Sequence, residues 1–212
     1  MKQITFALGK GRLAKSAMKV LNELGIKCSE MEEKSRKLVF TSDDGKYKFF
    51  LCKVSDVPTF VDYGVADIGI VGKDTILEQG KNVLEVMDLG FAKCKMAVAG
   101  KPEALDKYNN GGAIRVATTF PNIANEFFNN KRKQNIEIIK LHGSVELAPM
   151  VGLSDVIVDI VESGATLKEN GMVVFEDIVD ISARVIVNPA SMKIAYGEIN
   201  DLTEKMRKQF AK

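Results

Sequence analysis

The segment Val156–Leu167, VIVDIVESGATL, constrains the chain more than any other. A run of β-formers holding one acid, Val156 to Val161, leads into Glu162 and a turn of small residues: Ser163, Gly164, Ala165 and Thr166. Leu167, Lys168 and Glu169 then suit a helix. A buried strand opening through a glycine turn onto a helix start leaves amide N–H groups unpaired and points the positive helix end at the same spot, so anions are attracted there. Ser163 and Thr166 add hydroxyl donors without bulk, and Gly164 permits close backbone approach or a positive φ. Asp159 and Glu162 set acceptors beside the loop, as a ribose diol requires. Phosphate and diol together describe a phosphoribosyl group. The same spacing also fits an ordinary strand-turn-helix with a capping residue, and the loop alone leaves both readings open.

The rest of the chain narrows the class. Its 212 residues can bury a substantial core in one domain or two small ones. A hydrophobic share of 46% with 27% charged residues is that of a soluble globular protein. A net charge of +2 argues against nucleic-acid binding, which needs a clustered basic face, and the short run Lys131-Arg132-Lys133 reads as a solvated helix end. No stretch approaches the roughly 20 apolar residues of a membrane helix. The apolar start Ile4 to Leu8 is too short for a signal peptide and reads as a first strand. Cys28, Cys52 and Cys94 are odd in number and widely spaced, with no metal-type pairing, so a cytoplasmic location is expected.

Periodicity predicts an α/β protein. Strand Ile4–Leu8 is followed by a helix from Leu13 to Leu24, closed by Gly25. Strands Leu38–Thr41 and Tyr47–Cys52 flank the turn Ser42-Asp43-Asp44-Gly45-Lys46. Asp56 is expected to cap a short helix with Pro58 in its first turn, ended by Gly64. Strand Ala66–Val71 follows, and Asp74 opens another helix. The pattern then restarts: strands Met96–Ala99 and Ile114–Ala117, helix Asn122–Asn130, strand Ile136–Lys140. After the glycine turn, Met172–Ile178 and Ala183–Val187 read as strands and Asn200–Phe210 as a last helix. A core that restarts after about residue 92 predicts two lobes.

Several segments together resemble the catalytic subunit of ATP phosphoribosyltransferase, the first enzyme of histidine biosynthesis. They are ITFALGKGRL (Ile4–Leu13), KVSDVPTFVDYGVADIGIVGKDTILE (Lys53–Glu78), ATTFPNIANEFF (Ala117–Phe128) and the loop with its flanks, LHGSVELAPMVGLSD and ENGMVVFEDIVDISARVIVNPAS. The likeness spans essentially the whole chain. One departure is Gly9, which stands where the family's turn carries proline and is expected to loosen the loop before Lys10.

The resemblance implies a two-lobed architecture like that of type II periplasmic binding proteins, with the active site in an interdomain cleft. Residues 1–92 plus 180–212 would form one domain and 93–179 the other. It implies condensation of ATP with phosphoribosyl pyrophosphate to N1-(5-phosphoribosyl)-ATP and pyrophosphate. Ser163, Gly164, Ala165 and Thr166 would hold the 5′-phosphate, with Asp159 and Glu162 at the ribose. Lys10, Gly11 and Arg12 would face the polyphosphate, Arg12 as a planar fork and Lys10 as a point charge. Arg36, Lys53, Asp67, Gly72 and Asp74 are further candidates for ATP contacts, and Glu146 for relaying a proton. His142, the sole histidine, follows apolar Leu141 and is expected to play a structural part. Mg²⁺ would ride mainly on the substrate pyrophosphate, with no dedicated protein metal site. The resemblance is to the short form, which pairs with a regulatory subunit resembling histidyl-tRNA synthetase, the isolated chain being a dimer. A non-catalytic two-lobed binding protein is the competing expectation.

Overall fold

The computed structural model describes residues 3–31 and 37–210. The chain divides into two compact α/β units, Met1–Ala92 with Ser182–Lys212, and Lys93–Ile181. Strands β1 (Ile4–Gly9), β2 (Val39–Thr41), β3 (Tyr47–Cys52), β4 (Ile68–Gly72) and β5 (Leu84–Asp88) belong to the first unit. The second holds β6 (Cys94–Gly100), β7 (Ile114–Thr118), β8 (Ile136–Lys140), β9 (Val156–Val161) and β10 (Val173–Ile181). The chain then returns to the first sheet as β11 (Ala183–Val187).

Helices α1 (Arg12–Glu23), α2 (Val57–Asp62) and α3 (Lys73–Gln79) precede the first crossing. The second unit carries α4 (Leu105–Asn109), α5 (Pro121–Asn125), α6 (Leu147–Met150) and α7 (Ala165–Glu169). Helices α8 (Pro189–Ile194) and α9 (Tyr196–Phe210) follow β11.

The first sheet has the order β2-β3-β1-β4-β11-β5. Strand β1 runs parallel to both β3 and β4, with Gly9 opposite Cys52 and Leu8 opposite Ile70. The carboxyl ends of β1, β3 and β4 therefore share one edge, where loops can gather ligands. Phe6, Leu8, Phe49, Ile68 and Ile70 are buried on one face, under the Ala14, Ala17, Val20 and Leu21 stripe of α1. Alanines there let the helix approach closely. Its end is a Schellman closure: Gly25 takes φ +82°, Gly25 N–H donates to Asn22 O at 2.9 Å, and Ile26 N–H to Leu21 O at 2.9 Å.

The second sheet has the order β10-β6-β9-β7-β8. One face packs Met96, Val98, Val116, Val156 and Val158 against Tyr108, Phe127 and Phe128. The other, with Ala99, Ala117 and Ile157, receives Val145, Ala148 and Leu167 from the segments around α6 and α7. This second face carries the glycine turn.

Several expectations change. The second crossing falls at Ile181–Ser182 and not at 179–180, because Val179, Asp180 and Ile181 still pair with Met96, Lys95 and Cys94. Asp56 occupies the cap position of α2 yet makes no side-chain cap; its φ −94°, ψ −14° is helical, which turns the carboxylate away from the amides it would accept. Ala66 and Asp67 precede β4, which runs on to Gly72. The helix expected over Asn122–Asn130 begins at Pro121 and widens to a π-helix over Glu126–Arg132. The wider turn buries the adjacent Phe127 and Phe128 together and sets the Arg132 guanidinium 4.0 Å over the Tyr108 ring. Strand β5 and helices α4, α6 and α8 appear in segments for which no element was expected.

Candidate functional site

Strand β9 and the turn after it build one wall-to-floor unit. Val156, Ile157 and Val158 are fully buried, which anchors the strand, while Asp159 beyond them is only half-buried. Gly164 takes φ +73° immediately before α7, a conformation costly for any residue with a β-carbon. The first helical bond is Lys168 N–H to Gly164 O at 3.0 Å, so the amides of 165–167 precede the helical ladder. Ser163 Oγ accepts one of them, from Ala165, at 3.3 Å.

Residues 159–167 line a cavity of about 250 Å³ together with Glu146. Glu146 stands just ahead of α6, after a loop in which Ser144 takes the left-handed φ of +48°. Strain of that kind concentrates where a loop is held for a purpose. Burial pushes the Asp159 carboxyl up to about 6, and the facing charge of Glu146 adds to the rise. The lining contains three acids, no lysine and no arginine. His142 is exposed and is not part of that lining.

In the first unit, Lys10, Gly11 and Arg12 are exposed where β1 turns into α1. Gly11 has φ +110°, no side chain caps the helix, and its first turn holds no acid, so its amides face outward beside two cations. Lys10 N–H donates to Cys52 O at 2.9 Å, which sets Lys53 beside the same turn. Burial raises the Cys52 thiol to about 11, keeping it an unreactive thiol. A larger cavity of about 680 Å³ runs from Lys10 and Gly11 along Ala14, Met18, Cys28 and Leu51, with Lys15 and Lys19 at its rim.

Gly72 and Asp74 lie at the same sheet edge as Lys10, because β4 is parallel to β1 and in register with it. Burial raises the Asp74 carboxyl, and any β-carbon at Gly72 would run into its Oδ1. Asp67 is elsewhere. It sits at the opposite end of these strands, level with Thr5, and is 4% exposed. Its Oδ2 accepts the Thr5 N–H at 2.8 Å and its Oδ1 the Ser191 hydroxyl at 2.6 Å, so it ties the fold together at the end of the strands away from Lys10. Arg36 lies outside the described residues.

The expectation that Gly9 loosens the turn is overturned. A β-carbon there would stand 2.6 Å from Val54 Cγ2 and 3.0 Å from Val54 Cα, so Gly9 is closely packed. No sequence signal named Val54 as its partner; the contact exists only because β1 and β3 pair in register to their ends.

Among the described residues no cluster of three or more His, Cys, Asp or Glu could hold a metal ion, and no helix is long and apolar enough to cross a membrane.

Comparison with known proteins bears on these loops. A family model described as HisG, ATP phosphoribosyltransferase, matches residues 53–208. The ATP phosphoribosyltransferase of Lachnoclostridium phytofermentans is 56% identical over 208 residues, covering 98% of this chain and 97% of that protein. That of Ruminiclostridium cellulolyticum is 52% identical over 211 residues, covering 100% and 99%. Among solved structures, a chain of the ATP phosphoribosyl transferase (HisG:HisZ) complex from Thermotoga maritima superposes with a TM-score of 0.80 at 34% identity, covering 97% of this chain and 98% of that one. The substrate-binding protein of an amino acid ABC transporter gives a TM-score of 0.53 at 14% identity over 99% of both chains, a likeness of two-lobed α/β fold alone. With relatives this similar over nearly their full length, and with the glycine turn inside the matched family segment, the chain belongs to the ATP phosphoribosyltransferase family.

Proposed function

We propose that the β9–α7 turn and the β1–α1 turn carry out the condensation of ATP with phosphoribosyl pyrophosphate, the family's step in histidine biosynthesis. The observation that carries this assignment is the cavity of about 250 Å³ that the whole 159–167 stretch lines with Glu146. The amides of Thr166 and Leu167, with that of Ala165 beyond its 3.3 Å bond to Ser163 Oγ, and the hydroxyls of Ser163 and Thr166 suit the 5′-phosphate, and Asp159 and Glu162 suit the ribose hydroxyls.

Adenine N1 already carries an in-plane lone pair, so no side chain has to be made nucleophilic. The N1–C1 bond forms as the C1–oxygen bond to pyrophosphate breaks, through a state with oxocarbenium character. Positioning and charge stabilisation are then the main demands. Lys10 and Arg12, with Lys53 beside them, meet the departing pyrophosphate. Glu146 takes the proton that the alkylated adenine releases from N6.

The cavity lining holds three acids and no cation, so a phosphorylated sugar needs a cation brought with it. An oxygen-seeking Mg²⁺ carried on the pyrophosphate suits that acidic lining and would offset the charge of the leaving group.

The Thermotoga maritima structure is described as a HisG:HisZ complex. That likeness supports assembly of this chain as the short-form catalytic subunit with a second, regulatory subunit; that this subunit resembles histidyl-tRNA synthetase, and that the isolated chain pairs with itself as a dimer, rest on the family resemblance.

Arg12→Ala tests the assignment through the absorbance of the phosphoribosyl-ATP product. Loss of a charge-assisted contact of about 1.5–3 kcal/mol lowers kcat/KM by about ten- to a hundredfold. Arg12 is exposed, so the melting temperature stays put. Unchanged kinetics would make Arg12 a solvated surface residue and remove the β1–α1 turn from the mechanism.

A further inference from the structure

Gly9 and Val54 are in closest approach at the point where the two lysine-bearing segments of the first unit meet. Lys10 follows Gly9, and Lys53 precedes Val54. Gly9 stands opposite Cys52 in the β1–β3 ladder, and Lys10 N–H then donates to Cys52 O at 2.9 Å. Val54 begins the 3₁₀ turn Val54–Asp56, whose Asp56 N–H bonds back to Lys53 O at 2.9 Å. Both lysines thus leave short, hydrogen-bonded turns whose backbones are held against each other at this one contact. A β-carbon on Gly9 would lie 2.6 Å from Val54 Cγ2, 3.0 Å from its Cα and 3.2 Å from its Cβ. Because one of these atoms is backbone, a rotamer change of Val54 cannot absorb the clash; the turn itself has to move, and Lys53 with it. Gly9 is outside the left-handed region, so the demand for glycine here is one of space and not of φ.

We infer that the Gly9–Val54 contact is a positioning device that fixes the separation of Lys10 and Lys53, and so the grip of this sheet edge on pyrophosphate. The inference rests on the proposal that these lysines face the polyphosphate. It gives Gly9 a role opposite to a loosened loop: the missing side chain lets the backbones that carry the two lysines meet at a fixed spacing, and Val54 fills the vacated volume. Two lysines whose attachment points are held attract one anionic group more strongly than two that drift apart, since part of the ordering is done before binding.

The test is a double-mutant cycle read by calorimetric binding of inorganic pyrophosphate with Mg²⁺ to the full chain, alongside kcat and KM. Gly9→Ala should weaken pyrophosphate binding about tenfold, with kcat falling more than KM rises, since misplacement by a fraction of an ångström is costly in a charge-stabilising site. Val54→Ala, a mild change at a half-buried position, removes the stop from the other side and should weaken binding about threefold. In Gly9→Ala/Val54→Ala the Cγ2 contact at 2.6 Å is gone while those to Cα at 3.0 Å and Cβ at 3.2 Å remain, so binding should recover about threefold over Gly9→Ala without reaching that of the unsubstituted chain. A double variant as weak as Gly9→Ala, or a Val54→Ala variant that binds normally, overturns the positioning role. If Gly9→Ala does not fold, the Val54→Ala and double variants still decide it. Lys10→Ala separates the two readings: if it too binds pyrophosphate normally, the polyphosphate role of this edge fails and the positioning inference falls with it. If it binds poorly while Gly9→Ala binds normally, only the positioning inference fails.

Discussion

Asp67 Oδ1 accepts the Ser191 hydroxyl at 2.6 Å across 124 residues of sequence, and its Oδ2 accepts the Thr5 amide at 2.8 Å. The carboxyl group therefore fastens the returning helix α8 to the first strand of the sheet. Asn188, 6% exposed, completes the join: its Oδ1 accepts the Ala190 and Ser191 amides, and its Nδ2 donates to Val61 O and Asp62 O at the end of α2. Buried polar groups satisfied in this way cost little while intact and much when one member is removed.

Asp67→Ala should therefore act on stability and not on substrate. Leaving the Thr5 amide and the Ser191 hydroxyl buried without this acceptor costs about 2–4 kcal/mol by urea unfolding. Pyrophosphate binding by the folded fraction stays within about twofold, since Asp67 is at the far end of the strands from Lys10. A variant of normal stability that had lost nucleotide affinity would return Asp67 to the ligand site.

What was legible in the sequence follows from how local each signal is. Strand β9 and the turn after it could be read because five β-formers around one acid, one glycine and two hydroxyl residues encode strand, φ +73° and helix start within twelve positions. Glu146, sixteen residues upstream of Glu162, was named as well, and it lines the same cavity. Strand β5 escaped because Leu84, Glu85, Val86, Met87 and Asp88 carry a weak pattern. Its place is set by β11, where Glu85 faces Ile186 and Arg184 pairs with both Glu85 and Asp88. Helical spacing could not distinguish α from π at Glu126–Arg132, since the wide turn is held by Arg132 on Tyr108 and Glu176. Asp67 was misplaced for a related reason: ADIGIVGKD is a strand with acids at both ends, and only the parallel register with β1 tells which end gathers the cations.

Gly164→Val should abolish phosphoribosyl transfer in a protein that still folds. A β-carbon at position 164 would meet only Val161 Cγ1, at 3.9 Å, so space is not the obstacle. The φ of +73° is, because a β-branched residue there costs about 1–2 kcal/mol or more and turns the 165–167 amides to escape it. Circular dichroism should match the unsubstituted chain while product formation disappears. Turnover above about a tenth of normal in a folded Gly164→Val protein would falsify the phosphate assignment of this turn.

Histidine inhibition should depend on the regulatory subunit. Coupling between an effector and the reaction requires two sites with different affinities in two states. The proposed assembly with a regulatory subunit would put the sensor on that second polypeptide. Titrating histidine against the purified chain should leave turnover unchanged at concentrations that silence the reconstituted complex. Equal inhibition with and without the partner would place the effector site on this chain.

Asp159 makes stability and function pull in opposite directions as pH changes. Burial, with the nearby Glu146 charge, raises its carboxyl from 3.8 to about 6. Between those values the folded chain holds a proton that the unfolded chain has released, so this group's contribution to stability falls as pH rises through the window. Above it the folded state carries the full cost of an ionised, half-buried acid. Asp159→Asn removes that cost: the variant should be more stable than the unsubstituted chain at pH 8 by on the order of 1–3 kcal/mol, with the gap closing toward pH 4. Activity should run the other way. The unsubstituted enzyme should lose turnover as pH drops through about 6, because the protonated acid no longer accepts both ribose hydroxyls, and Asp159→Asn should be poorly active throughout. Urea unfolding of both proteins at pH 4, 6 and 8, beside the pH profile of kcat/KM, measures each half. An asparagine variant no more stable than its parent at pH 8 would mean that Asp159 is solvated and that burial does not set its proton affinity.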